Sequence, residues 1–71
     1  MSKRIVYTSH AILRRFERDI SEKDVEFVIS KPDYVRTNFD GRKIATRRIG
    51  DRTINVIYLE KENLIRVITV Y

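Results

Sequence analysis

The chain has no cysteine and no tryptophan, a single proline, two glycines and one histidine in 71 residues. Without cysteine there is no disulfide scaffold, and with one histidine there is no Cys/His zinc site, which leaves only scattered carboxylates as metal ligands. No metal site and no cofactor are expected. No apolar run approaches the length that spans a bilayer, and Met1 to Tyr7 lacks the apolar stretch of a signal peptide. The expectation is a protein away from membranes, in a reducing cytoplasm. The scarcity of glycine and proline excludes linkers and low-complexity segments, so residues 1–71 read as one domain. At this size a single hydrophobic core is only just sufficient.

Charge is abundant. Fifteen Lys and Arg against ten Asp and Glu give a net charge of +5. Residues 1–33 hold seven basic and six acidic side chains, and residues 34–71 hold eight and four, so the excess lies in the second half. A basic surface there attracts a polyanion, and nucleic acid is the leading partner.

In chain order, Lys3 to Thr8 has strand character over very few residues and reads as a short strand or an extended lead-in. A helix follows from Ser9 to Arg18, opened by Thr8 or Ser9. In it Ile12, Leu13 and Phe16 form the side expected to pack on the core. Ser21 and Asp24 match a capping box for a second helix with Val25, Val28 and Ile29 as its buried stripe. Pro32 stops that helix near Ser30. The pattern then alternates. Tyr34 to Phe39, Lys43 to Ile49, Thr53 to Leu59 and Leu64 to Tyr71 read as four strands joined at Asp40-Gly41, Gly50-Asp51 and Lys61 to Asn63. The fold expected is α+β: two N-terminal helices packed on a four-stranded, antiparallel, curved meander, with room for a short N-terminal strand. Strict alternation puts Leu64, Arg66, Ile68 and Val70 on one face of the last strand and Ile65, Val67, Thr69 and Tyr71 on the other. Both faces of the sheet then carry apolar residues, so the second face curls, dimerises or binds a partner.

His10, Arg14 and Arg18 lie four residues apart and form one line along the first helix. An imidazole flanked by guanidiniums suits chemistry on a phosphate: arginines hold phosphoryl oxygens while the imidazole moves a proton. In the strands, Arg47 and Arg48 are adjacent and project to opposite faces. Arg36, Arg42, Lys43 and Arg52 lie at or near hairpin ends, Thr69 and Tyr71 project together, and Asn55 is polar within an otherwise apolar strand. Arg36, Arg42, Lys43, Arg47, Arg48, Arg52 and Thr69 are the candidate nucleic-acid contacts.

The run Tyr7-Thr8-Ser9-His10-Ala11, with Arg14, then Glu17-Arg18-Asp19-Ile20-Ser21, Pro32, a basic meander and the ending Ile68-Thr69-Val70-Tyr71, resembles a family of short bacterial and archaeal domains of unassigned function. Those domains carry a His-Ala-x-x-Arg-x-x-x-Arg-x-Ile-Ser signature and usually have glycine where this chain has Asp19. That family in turn resembles the group uniting barnase, colicin-type tRNases and RelE/ParE-like toxins. The resemblance implies a RelE/barnase-like fold and a toxin-type, metal-independent endoribonuclease that cleaves RNA by 2′-OH attack. His10 would be general base or acid, Arg14 and Arg18 would neutralise the phosphoryl charge, and Tyr71 would be the candidate acid. A non-catalytic nucleic-acid-binding module, with Tyr34, Phe39 and Tyr58 stacking on bases, is the alternative. A protein-interaction domain that seats a cognate antitoxin or a second copy of itself is the third reading.

Overall fold

The computed structural model describes residues 3–71. Its elements are β1 (Arg4–Tyr7), α1 (Ser9–Arg18), α2 (Glu22–Ser30), β2 (Tyr34–Thr37), β3 (Lys43–Ile49), β4 (Arg52–Glu60) and β5 (Leu64–Val70). They form a five-stranded sheet in the order β1-β5-β4-β3-β2, in which β2 to β5 are antiparallel neighbours and β1 runs parallel to β5. The expected four-stranded antiparallel sheet is therefore corrected to a five-stranded mixed one. The N-terminal strand is integral to it: Arg4 pairs with Leu64 and Tyr7 with Val67. Four residues are too few to show a period, and their partners lie sixty positions away.

Local chemistry sets the helix limits. The Thr8 side chain accepts from the Ala11 N–H and caps α1. The helix ends at Asp19, a left-handed residue at φ 54°, where the Ile20 N–H donates to the Arg15 carbonyl and the Asp19 N–H to the Phe16 carbonyl. This is a Schellman closure, and aspartate tolerates the left-handed position better than most side chains. Arg52 then donates to the last free carbonyls of α1, those of Arg18 (2.6 Å) and Asp19 (3.2 Å). Ser21 and Asp24 form the reciprocal capping box of α2, which ends two residues before Pro32.

The core lies between the helices and one face of the sheet. Val25 and Val28 of α2, Ala11 of α1 and Ile20 between them meet Ala45, Ile54, Val56, Tyr58, Ile65, Val67 and Val70. On α1 the expected packing side is corrected. Ala11 is fully buried, whereas Ile12, Leu13 and Phe16 are exposed, Phe16 to 78%. A small side chain at Ala11 lets the helix approach β5 closely, and Arg15 lays its guanidinium over the Tyr7 ring, 5.2 Å from its centroid. The bulkier residues are thereby turned outward.

In β5 the alternation breaks once. Tyr58 pairs with Val67 and Ile57 with Thr69, which leaves Ile68 as the extra residue of a β-bulge. Val70 therefore faces the core with Ile65 and Val67, and Thr69 moves to the opposite face. This corrects the strict alternation expected for the last strand. The bulge is held from outside the sheet: the Thr8 hydroxyl donates to the Ile68 carbonyl at 2.8 Å and the Thr8 N–H to that of Val67 at 3.0 Å.

Two predictions concern stability. The Tyr7 hydroxyl is buried without a hydrogen-bond partner among the described residues, and burial pushes its pKa up. Tyr7→Phe removes an unsatisfied polar group, so the urea midpoint is expected to rise by the equivalent of about 1 kcal/mol; a clear fall would contradict this. Hydrogen bonds from Lys43 (2.6 Å) and Lys3 (3.0 Å) hold the Glu60 carboxyl below its ordinary value of 4.5. The depressed pKa means that the contribution is present above pH 4.5 and is lost as pH falls through the folded-state value. Glu60→Gln should flatten the loss of stability on acidification, read as a smaller difference in urea midpoint between pH 7 and pH 3; an unchanged difference would count against it.

Candidate nucleic-acid interface

Both helices pack against the same side of the sheet, so its other side is uncovered. Strand pairing defines the uncovered face: Arg4 and Val6 on β1, Tyr34 and Arg36 on β2, Ile44, Thr46 and Arg48 on β3, Thr53, Asn55, Ile57 and Leu59 on β4, Leu64, Arg66 and Thr69 on β5. Four of these are arginines and none is acidic. None of the four forms an ion pair among the described residues.

The cations of the covered sheet face are matched. Lys3 and Lys43 share Glu60, Arg47 meets Asp33 at 3.1 Å and stacks over Phe27, Arg15 meets Glu22, and Arg52 is committed to the end of α1. In the β2–β3 turn Arg42 lies 3.5 Å from Asp40. The basic surplus of the chain is thus concentrated on the uncovered face by subtraction, because the carboxylates lie on helices, in loops and at the covered end of β4.

A polar row crosses this face perpendicular to the strands. Tyr34 pairs with Thr46, Thr46 with Asn55, and Asn55 exchanges both backbone hydrogen bonds with Tyr71, at 2.8 and 2.9 Å. The bulge brings Tyr71 here, since it restores Asn55 and Tyr71 to one side after Val70 turns inward. The Thr46 hydroxyl donates to Asn55 Oδ1 at 2.7 Å. The other half of the face, around Val6, Ile57, Leu59 and Leu64, is half-buried and apolar.

The helical phase of α1 gives the position of the histidine. Ala11 points into the core, and Arg15, about 40° round the helix from it, lies over Tyr7 on the covered side. Arg14 and His10 lie about 60° and 100° round the other way, on the side of α1 turned from Arg15 and Tyr7. His10 is exposed and makes no hydrogen bond among the described residues, and Arg14 lies 3.8 Å from Glu17. The Arg18 side chain is exposed and its carbonyl is taken by Arg52.

Of the residues singled out in the sequence, Arg36, Arg48, Thr69 and Tyr71 share the uncovered face, and His10 and Arg14 stand on the side of α1 turned from Arg15. Arg47, Lys43 and Arg52 lie on the covered side, and Arg42 is in a turn. Tyr58, expected to stack, is only 5% exposed and belongs to the core, while Phe39 is fully exposed in the β2–β3 turn. Arg4, Arg66 and Thr46 also stand on this face, and residue type alone does not mark them. Strand alternation marks Arg66 as opposite Ile65 and Val67, but only the pairing of β1 with β5 brings Arg4 beside it.

Two clefts open elsewhere. One of about 660 Å³ lies on the covered side between β1, β5 and α2, lined by Tyr7, Glu22, Glu26 and Glu60 among others; a second, of about 490 Å³, lies by Arg15, Phe16 and Arg52. Neither is lined by His10, Arg14 or Tyr71. Among the described residues no group of three or more His, Cys, Asp or Glu side chains is positioned to hold a metal ion, and no helix is long and apolar enough to cross a membrane.

No curated protein and no solved structure matches the chain. Residues 7–71, which run from β1 through the polar row to Tyr71, match a family described as a domain of unknown function (DUF4258). The chain therefore belongs to the DUF4258 domain family.

Proposed function

We propose that this domain acts on RNA: a single strand lies across the uncovered sheet face, and His10 promotes its cleavage. The observation that carries the reading is the charge of that face: four arginines that form no ion pair among the described residues and no carboxylate, on the same face as Tyr71 and Thr69. Arginine forks suit phosphate oxygens, and exposed tyrosines suit unstacked bases. The resemblance of the chain to a family that carries the His-Ala-x-x-Arg signature, and of that family to the group containing toxin-type ribonucleases, supports the same substrate.

In the reaction the ribose 2′-oxygen attacks the adjacent phosphorus. The O2′–P bond forms, the P–O5′ bond breaks, and the products are a 2′,3′-cyclic phosphate and a 5′-hydroxyl. His10 takes the 2′-OH proton, and Arg14 neutralises charge that grows on the non-bridging oxygens. The departing 5′-oxygen takes its proton from water or from the Tyr71 hydroxyl. A second reading, binding without turnover, is favoured by one feature: among the described residues His10 has no hydrogen-bond partner to orient its ring.

The test is incubation of the folded protein with single-stranded RNA in EDTA, together with His10→Ala. Cleavage to cyclic-phosphate ends is expected, slowed about 10²-fold or more in the variant. Affinity should fall by about three decades per decade of salt, as about 0.7 per neutralised phosphate implies for four arginines. Salt-dependent binding with no cleavage, and an unchanged affinity in His10→Ala, would establish the second reading. Absence of binding at low salt would contradict both.

A further inference from the structure

Resting on the RNA reading, we infer that Asn55, fixed by Thr46, is the base-reading residue of the uncovered face and selects uracil and guanine, which carry a keto oxygen at the 4- or 6-position, over cytosine and adenine, which carry an amino group there. Thr46 is the one buried polar residue among those described, 4% exposed, although it stands on the face that no helix covers. Its hydroxyl is used on Asn55: it donates to Oδ1 at 2.7 Å. With Oδ1 turned toward Thr46 and one of its two lone pairs taken, the end of the Asn55 carboxamide directed away from Thr46 is its NH₂ group, which presents donors.

The neighbour of Asn55 supplies the platform. Asn55 and Tyr71 form a hydrogen-bonded pair, with Cα atoms about 5.5 Å apart and side chains on the same face. Tyr71 is exposed and ends the polar row on the side nearest α1. A base stacked on its ring brings an edge to the Asn55 NH₂. Uracil O4 and guanine O6 accept from it, whereas cytosine N4 and adenine N6 carry N–H groups that would face the amide N–H groups and lose water without replacement. Uracil and cytosine have the same ring size, so they isolate this difference. A cross-strand Thr–Asn pair that only stabilised the sheet would leave base preference untouched.

The experiment measures fluorescence anisotropy with uridine and cytidine oligonucleotides of equal length, 2′-O-methylated so that 2′-OH attack is blocked. The unaltered protein is expected to bind the uridine strand about tenfold tighter, the value of one well-placed hydrogen bond. Asn55→Asp replaces the donor by an acceptor and should reverse the preference, whatever its effect on total affinity. Thr46→Val keeps the β-branched shape and frees the amide to turn its oxygen to cytosine; it should bring the ratio close to one by raising cytidine affinity, with uridine affinity held within about twofold, and it decides the matter if Asn55→Asp does not fold. Equal binding of both strands by the unaltered protein, or a ratio unmoved by Thr46→Val, overturns the inference and leaves the RNA reading standing. Failure to bind either strand overturns the RNA reading itself.

Discussion

The hydrogen bond from the Thr8 hydroxyl to the Ile68 carbonyl fixes the arrangement on which the rest depends. Thr8 caps α1 through the same oxygen, so the start of the helix and the irregularity in β5 are built on one side chain. Without the bulge, period-two alternation from Val67 would carry Thr69 and Tyr71 into the core and expose Val70. With it, a fully buried valine closes the core and a tyrosine appears beside Asn55. The parallel pairing of β1 with β5 serves the same end, because it delivers Thr8 to the bulge and turns α1 back along the end of β5.

A second consequence is the sorting of charge. A chain with ten carboxylates and fifteen basic groups would ordinarily mix the two signs over its surface. Here Glu60 neutralises two lysines, the Asp33 carboxylate holds the Arg47 guanidinium and the Arg48 backbone N–H, and the remaining acids sit on helices and turns. Surface pairs of this kind add little stability. Their effect is positional, because they leave the strand arginines of the uncovered face unopposed and make that face the polyanion-attracting side of the molecule.

Much of the fold was legible in the sequence where local chemistry decides. The capping box at Ser21, the stop before Pro32, the hairpins at Asp40-Gly41 and Gly50-Asp51, and the valine stripe of α2 are interactions between residues a few positions apart. The three departures all have tertiary causes. The pairing of Arg4 with Leu64 joins the two ends of the described chain, the bulge is stabilised from another element, and α1 presents Ala11 inward because close approach to β5 matters more than the bulk of Ile12, Leu13 and Phe16. The candidate site was half legible for the same reason. His10, Arg14, Arg48 and Tyr71 stand out by residue type, while Arg66, Arg4 and Thr46 gain meaning only once the faces of the sheet are known, and Arg47 and Arg52 lose it.

The most direct test of this account is a map of backbone amide shifts on titration with a short single-stranded RNA. The account predicts that the largest changes fall on Thr46, Asn55, Thr69 and Tyr71 and on His10 at the start of α1, while Val25 and Val28 of α2 stay fixed. Shifts centred on α2 and the acidic cleft beneath it, with the β3–β5 amides unmoved, would contradict it.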